Sequence, residues 1–162
     1  MLDDEKFKKF FMLLSMLSIM MCSCTAFANY PTHLYGDKNF ILCDGHMGSA
    51  WYVDRSSLNV QKYEPPQYII AVNVVRVDNA DRRSTEIKNV HTYRFFYNSD
   101  LGQMYADFNN NDNWRYLNPQ GSWAETGISM PAGEIAFVLA YNYKFYGDRA
   151  YYSDDFYNRI FS

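Results

Sequence analysis

Apolar and polar positions alternate with period two through most of the chain, and that alternation predicts a series of β-strands. "QYIIAVNVVRV" (67–77) carries the strongest signal, with Tyr68, Ile70, Val72 and Val74 on one face and Ile69, Ala71, Asn73, Val75 and Val77 on the other. Both faces are largely apolar, so this strand is expected to be central and covered on both sides, with a partner required for Asn73. "EIKNVHTYRFFYN" (86–98) returns beside it, His91, Tyr93, Phe95 and Tyr97 sharing one face and Val90, Thr92, Arg94 and Phe96 the other. Shorter strands are predicted at 39–43, 50–54, 103–108 and 114–118, and Ser56 or Ser57 is expected to cap a brief helical turn before "EPP" at 64–66. Short polar connectors between successive strands predict an antiparallel meander of about six strands.

The C-terminal part reads differently. "SMPAGEIAFVLAYNYKFYG" (129–147) fits two periods: at period two Ile135, Phe137, Leu139, Tyr141, Tyr143 and Phe145 align, and at helical spacing Ile135, Val138, Leu139 and Asn142 form a stripe. Pro131 near the start, Glu134 in the first turn, Lys144 in the last and Gly147 beyond it are helix start and stop signals, and they decide for a helix packed on the sheet. "SDDFYNRIF" (153–161) predicts a short amphipathic helix capped by Ser153, with Asp154 and Asp155 at its positive end. The expected fold class is therefore α+β: a small antiparallel sheet packed by a C-terminal helix. Ile70, Val72, Val74, Phe95 and Trp114 are its expected core.

Residues 1–28 stand apart from this fold. Lys6, Lys8 and Lys9 precede the apolar run "FFMLLSMLSIMM", and "AFA" closes it at Ala28, the layout of a secretory signal peptide. The run is shorter than the roughly 20 residues that a bilayer span needs. Cleavage after Ala28 predicts an exported single domain, residues 29–162, with no membrane span, in the periplasm, at the cell surface or secreted. Lipidation at Cys24 is the competing route. After cleavage Cys43 is the lone cysteine, excluding an intrachain disulfide. The formal net charge is −3, and without a basic block this mild acidity argues against a nucleic-acid partner.

Composition then turns attention to rings, since 19% of the chain is Phe, Trp or Tyr. Three of them share "NNNDNWRYLNPQGSW" (109–123) with amides, one carboxylate and a guanidinium, a stretch that admits three readings: a metal loop, a sugar-binding platform or a hairpin with a decorated tip. Asp107, Asn109 and Asn111 occupy the first three ligand positions of a calcium loop, but Asp112 stands where Gly is needed and Asn118 where a bidentate Glu is needed. A hairpin tip is the better reading, because Asn and Asp tolerate left-handed backbone. Trp114 and Tyr116 share one strand face and Arg115 and Leu117 the other; aromatic rings with neighbouring amides stack on sugars or anchor a protein partner, so Trp114, Arg115 and Tyr116 are the candidate binding residues. Rings this numerous fill a core first, and Trp114 and Tyr116 are expected to cover it beneath the C-terminal helix. Catalytic and metal constellations are sparse. Cys43 with His46 or His91 would make a thiol nucleophile and base, and Asp44, His46 and His33 a metal set, yet neither has regular spacing.

"WYVDRSSL" (51–58), the long strand pair and "WRYLNPQGS" (114–122) together resemble the surface-adhesin protein E family of exported bacterial proteins. The resemblance spans about residues 51–122. It implies a small antiparallel sheet with a C-terminal helix at the bacterial envelope, contacting host or envelope macromolecules. The chain departs from that family in lacking a cysteine pair near the C-terminus. The expectation is an adhesin-like binding protein of the envelope or surface, with a protein or glycan partner and no cofactor. A small exported cysteine- or histidine-based hydrolase is the alternative.

Overall fold

The computed structural model describes residues 30–146 and 151–162. The signal segment expected at 1–28, with Cys22 and Cys24, and Gly147 lie outside the described residues. Six strands pair in chain order, each antiparallel to the next: β1 Phe40–His46, β2 Ser49–Glu64, β3 Gln67–Val77, β4 Ile87–Asn98, β5 Gln103–Asp107 and β6 Arg115–Leu117. Among the described residues three helices follow: α1 Trp123–Thr126, α2 Ser129–Tyr141 and α3 Asp154–Phe161. The α+β class and the six-strand meander are those that the alternation predicts, and β3 occupies the residues of its pattern.

The apolar faces account for the layering. On the inner face Ile70, Val72, Val74, Phe95 and Tyr97 meet Ile135, Ala136 and Phe137 of α2, and Phe156 and Ile160 of α3 join the same core. Near one end the outer face holds a second cluster of Leu34, Leu42, Ala50, Tyr52, Val75, Val77 and Ala80, which brings in the 3-10 turns Leu34–Gly36 and Ala80–Arg82. Strand β3 is thus covered on both faces. Asn73 finds its partner across the ladder, its Oδ1 accepting from the Thr92 hydroxyl at 2.7 Å.

Three expectations are corrected. No helical turn interrupts residues 56–64; β2 runs on as one strand, and its register against β3 shifts between Asp54 and Asn59. The two serines do make local hydrogen bonds, but around this bulge: Ser56 donates from N and Oγ to Asp54 Oδ1, and Ser57 Oγ accepts from the Asn73 amide. That last bond satisfies an amide close to the register shift. Helix α2 ends at Asn142, left-handed at φ 60°, so Lys144 is beyond its last turn. Glu134 is not in the first turn but at the sixth residue of α2, fully buried.

Helix α2 is apolar all round because sheet and α3 enclose it, residues 129–138 being buried throughout. It lies close against β4 and β5 at Gly133, where an added Cβ would lie 2.3 Å from Met104 Sδ and 3.0 Å from a Phe95 ring carbon. Tyr97 OH donates to the Gly133 carbonyl at 2.7 Å across the same contact. At one sheet edge β1 is shielded: Leu42 donates its amide to Thr32 O and accepts from Arg159 Nη1. At the other edge is β6, three residues long.

Candidate binding surfaces

The Asn/Asp tip is organised by Asp107, the last residue of β5. Its Oδ1 accepts from the Asn109 amide at 3.0 Å, and its Oδ2 from the Asp112 amide at 3.0 Å and Arg94 Nη1 at 2.9 Å. Burial acts to raise the Asp107 carboxyl, but these amides and the guanidinium outweigh it and hold the group below the usual carboxylate range. Asn110 and Asp112 take positive φ, 54° and 60°, the backbone that Asn and Asp tolerate best. The carboxylate that calcium would need is therefore occupied by its own hairpin and by Arg94.

Strand β6 and the residue before it, Trp114, divide the three candidates between opposite sides of the sheet. Trp114 and Tyr116 do not cover the core. Trp114 is half-buried on the outer face, 5.9 Å between ring centroids from Phe96 and with the Arg94 guanidinium 5.1 Å from its own. Tyr116 is 46% exposed and meets Tyr105 edge-on at 5.5 Å, and Tyr105 in turn packs on Phe96 at 5.7 Å. The reason is strand parity: Leu117 and Met104, cross-strand partners, point inward, so their neighbours Tyr116 and Tyr105 must point outward. Phe96, Tyr105, Trp114 and Tyr116 thus form one ring surface, with Arg94 locked beside it to Gln61, Asp107 and Asp112. Shared parity across paired strands was the signal that would have added Phe96 and Tyr105 to the candidates.

Arg115 points the other way, donating from Nη2 to the Glu125 carbonyl in α1 at 2.8 Å. It helps line a cleft of about 310 Å³ with Trp51, Tyr93, Phe108, Trp123 and Glu125. Burial raises the Tyr93 hydroxyl to about 12, with a smaller contribution from Cys43. A second cavity of about 380 Å³ shares Trp123, Thr126 and Gly127 with this cleft and reaches Cys43, Asp44, Tyr152 and Arg159. Sequence reasoning did not single out Trp123, although it closes the stretch 109–123; its setting depends on β1, far away in the chain.

The other candidates do not assemble. Cys43 is buried, its Sγ donating to the Ile128 carbonyl at 3.5 Å, and burial, helped by the Asp44 charge, pushes the thiol well above its ordinary value. His46 stacks on Trp123, His91 meets Tyr93 edge-on, and His33 Nε2 lies 3.0 Å from the Arg159 carbonyl. Among the described residues, no group of three or more His, Cys, Asp or Glu is placed to hold a metal ion, and no helix is long and apolar enough to cross a membrane. Compared with family models, curated proteins and solved structures, the chain matches none.

Proposed function

We propose that the protein is an exported, adhesin-like binding protein of the bacterial envelope or surface, which holds a protein or glycan partner on the outer face of β4–β6. The observation that carries this reading is the ring surface of Phe96, Tyr105, Trp114 and Tyr116. Its rings pack on one another rather than beneath a helix, so they stay fixed and partly exposed. Rigid amphipathic rings with a neighbouring guanidinium are the residue types that dominate binding interfaces, because they offer contact area at small entropic cost. The basic–apolar–AFA leader pattern supports export, and the resemblance of residues 51–122 to the surface-adhesin protein E family supports an envelope role. The enzyme reading is weaker because Cys43 is a buried, suppressed thiol.

The test is capture of immobilised extracellular-matrix proteins and of isolated cell-wall glycan by the purified protein. Replacing Trp114 and Tyr116 together with Ala should weaken capture by roughly tenfold or more while near-ultraviolet circular dichroism is kept. Capture that ignores this double change would place the contact elsewhere. Hydrolysis of a peptide, ester or glycoside substrate, lost on Cys43→Ala or His91→Ala, would replace binding with catalysis.

A further inference from the structure

We propose that Trp123 is the platform of a carbohydrate site on the inner side of the sheet, taking a neutral sugar ring against its indole. The site is separate from the outer ring surface and uses none of its residues. Trp123 is clamped yet open. Its Nε1–H donates to Asp44 Oδ2 at 2.8 Å, and His46 stacks on it with 4.0 Å between centroids and 24° between planes. The residue nevertheless remains 44% exposed. An indole held at two points with much of its surface in water adds little to the core. What the arrangement does provide is a flat apolar surface whose orientation is set before any ligand arrives.

The two cavities meet at this residue, and their chemistry selects the ligand. One offers Arg159 and Asp44 beside the rings of Tyr152 and Phe156. The other offers Arg115 and Glu125 beside Trp51, Tyr93 and Phe108, with Trp51 tilted 56° to Trp123 at 6.3 Å. Between them the two adjoining cavities carry two guanidinium groups and two carboxylates. An ion would find its charge opposed as much as matched, and a wholly apolar ligand would bury charged groups whose remaining donor and acceptor positions it could not fill. A sugar satisfies both demands: its C–H face lies on a ring, and its hydroxyls both donate to carboxylates and accept from guanidinium N–H groups. At about 380 and 310 Å³ the cavities fall at the small end of the roughly 300–1,000 Å³ typical of ligand sites, which suits a short saccharide.

The test follows the three indole N–H resonances, since the chain has three tryptophans. Maltotriose and triacetylchitotriose serve as neutral probes, 3′-sialyllactose as an anionic one and adenosine as a flat non-sugar. A neutral probe should shift the Trp123 indole resonance saturably and leave that of Trp114 in place. Trp123→Ala should cut affinity by roughly tenfold or more, whereas Trp114→Ala should not alter it. Silence of all three indoles at about 10 mM neutral sugar would overturn the proposal, since affinity weaker than that is not a site. So would a response confined to Trp114, or tighter binding of sialyllactose or adenosine. If Trp123→Ala does not fold, the wild-type resonances decide alone. Loss of macromolecule capture in the outer-face double variant leaves these readings untouched, so the two proposals fail separately.

Discussion

Glu134 sits on α2 with none of its surface exposed, and what surrounds it governs a pH response. Burial raises its carboxyl to about 7, against hydrogen bonds from Tyr157 OH of α3 and from the amides of Phe145 and Tyr146, and against the Lys144 charge. Between about 4.5 and 7 the folded chain keeps a proton that the unfolded chain has released. This group's contribution is therefore favourable at low pH, declines as pH rises through that window, and levels off above 7. Glu134→Gln, which mimics the protonated acid, should flatten that slope and leave the variant ahead of wild type at pH 8 by on the order of 3 kcal/mol, read from urea midpoints across pH 4–8. Equal slopes in the two proteins would mean that Glu134 titrates normally. In the sequence Glu134 resembles a helix-start acid, because residue type says nothing of the Tyr157 hydroxyl that arrives from another element. Asp107 was legible only by position, as a calcium ligand; its actual partners, two amides and Arg94, required the hairpin and β4 to be folded together.

At the scale of elements, strand signals survived wherever period two was sustained, as in β3, and failed where a local motif has two uses. The Asp54–Ser57 hydrogen bonds that would begin a helix also stabilise a bulge, and the flanking ladder with β3 decides between them. The two periods in 129–147 coexist because a helix enclosed on all sides needs no polar face, so apolar residues fall at every spacing. The helix that results packs tightly on the sheet at Gly133. Gly133→Ala would drive a methyl group into Met104 and Phe95, separating α2 from β4 and β5. The expected loss is roughly 1–3 kcal/mol, typical of overpacked cores, despite the better helix propensity of Ala. A midpoint at or above that of wild type would show that Met104 swings aside freely.

For the whole molecule, the sheet's two faces carry two different ring surfaces, and β6 with the residue before it contributes to both: Trp114 and Tyr116 outward, Arg115 inward. This division was legible from alternation, but which face is the core was not, because Trp114 is as apolar as anything beneath α2. The leader pattern carries its own prediction: intact mass of the secreted product should begin at Asn29, and a product beginning at a lipid-bearing Cys24 would reverse the two processing routes. One further consequence lies in how the sheet stops. Unfinished strand edges are templates on which a second molecule can add and start a fibre, a hazard that grows with aromatic content. Here the first strand is occupied by the chain around Thr32 and by Arg159 and the last is only three residues long, but β4 runs past β5 from Ile87 to Tyr93 and β2 runs past β1 from Ser56 to Glu64. Those two overhangs, rather than the first and last strands, are where a second chain would add, and the charges of Lys62, Glu64 and Lys88 along them oppose such an addition.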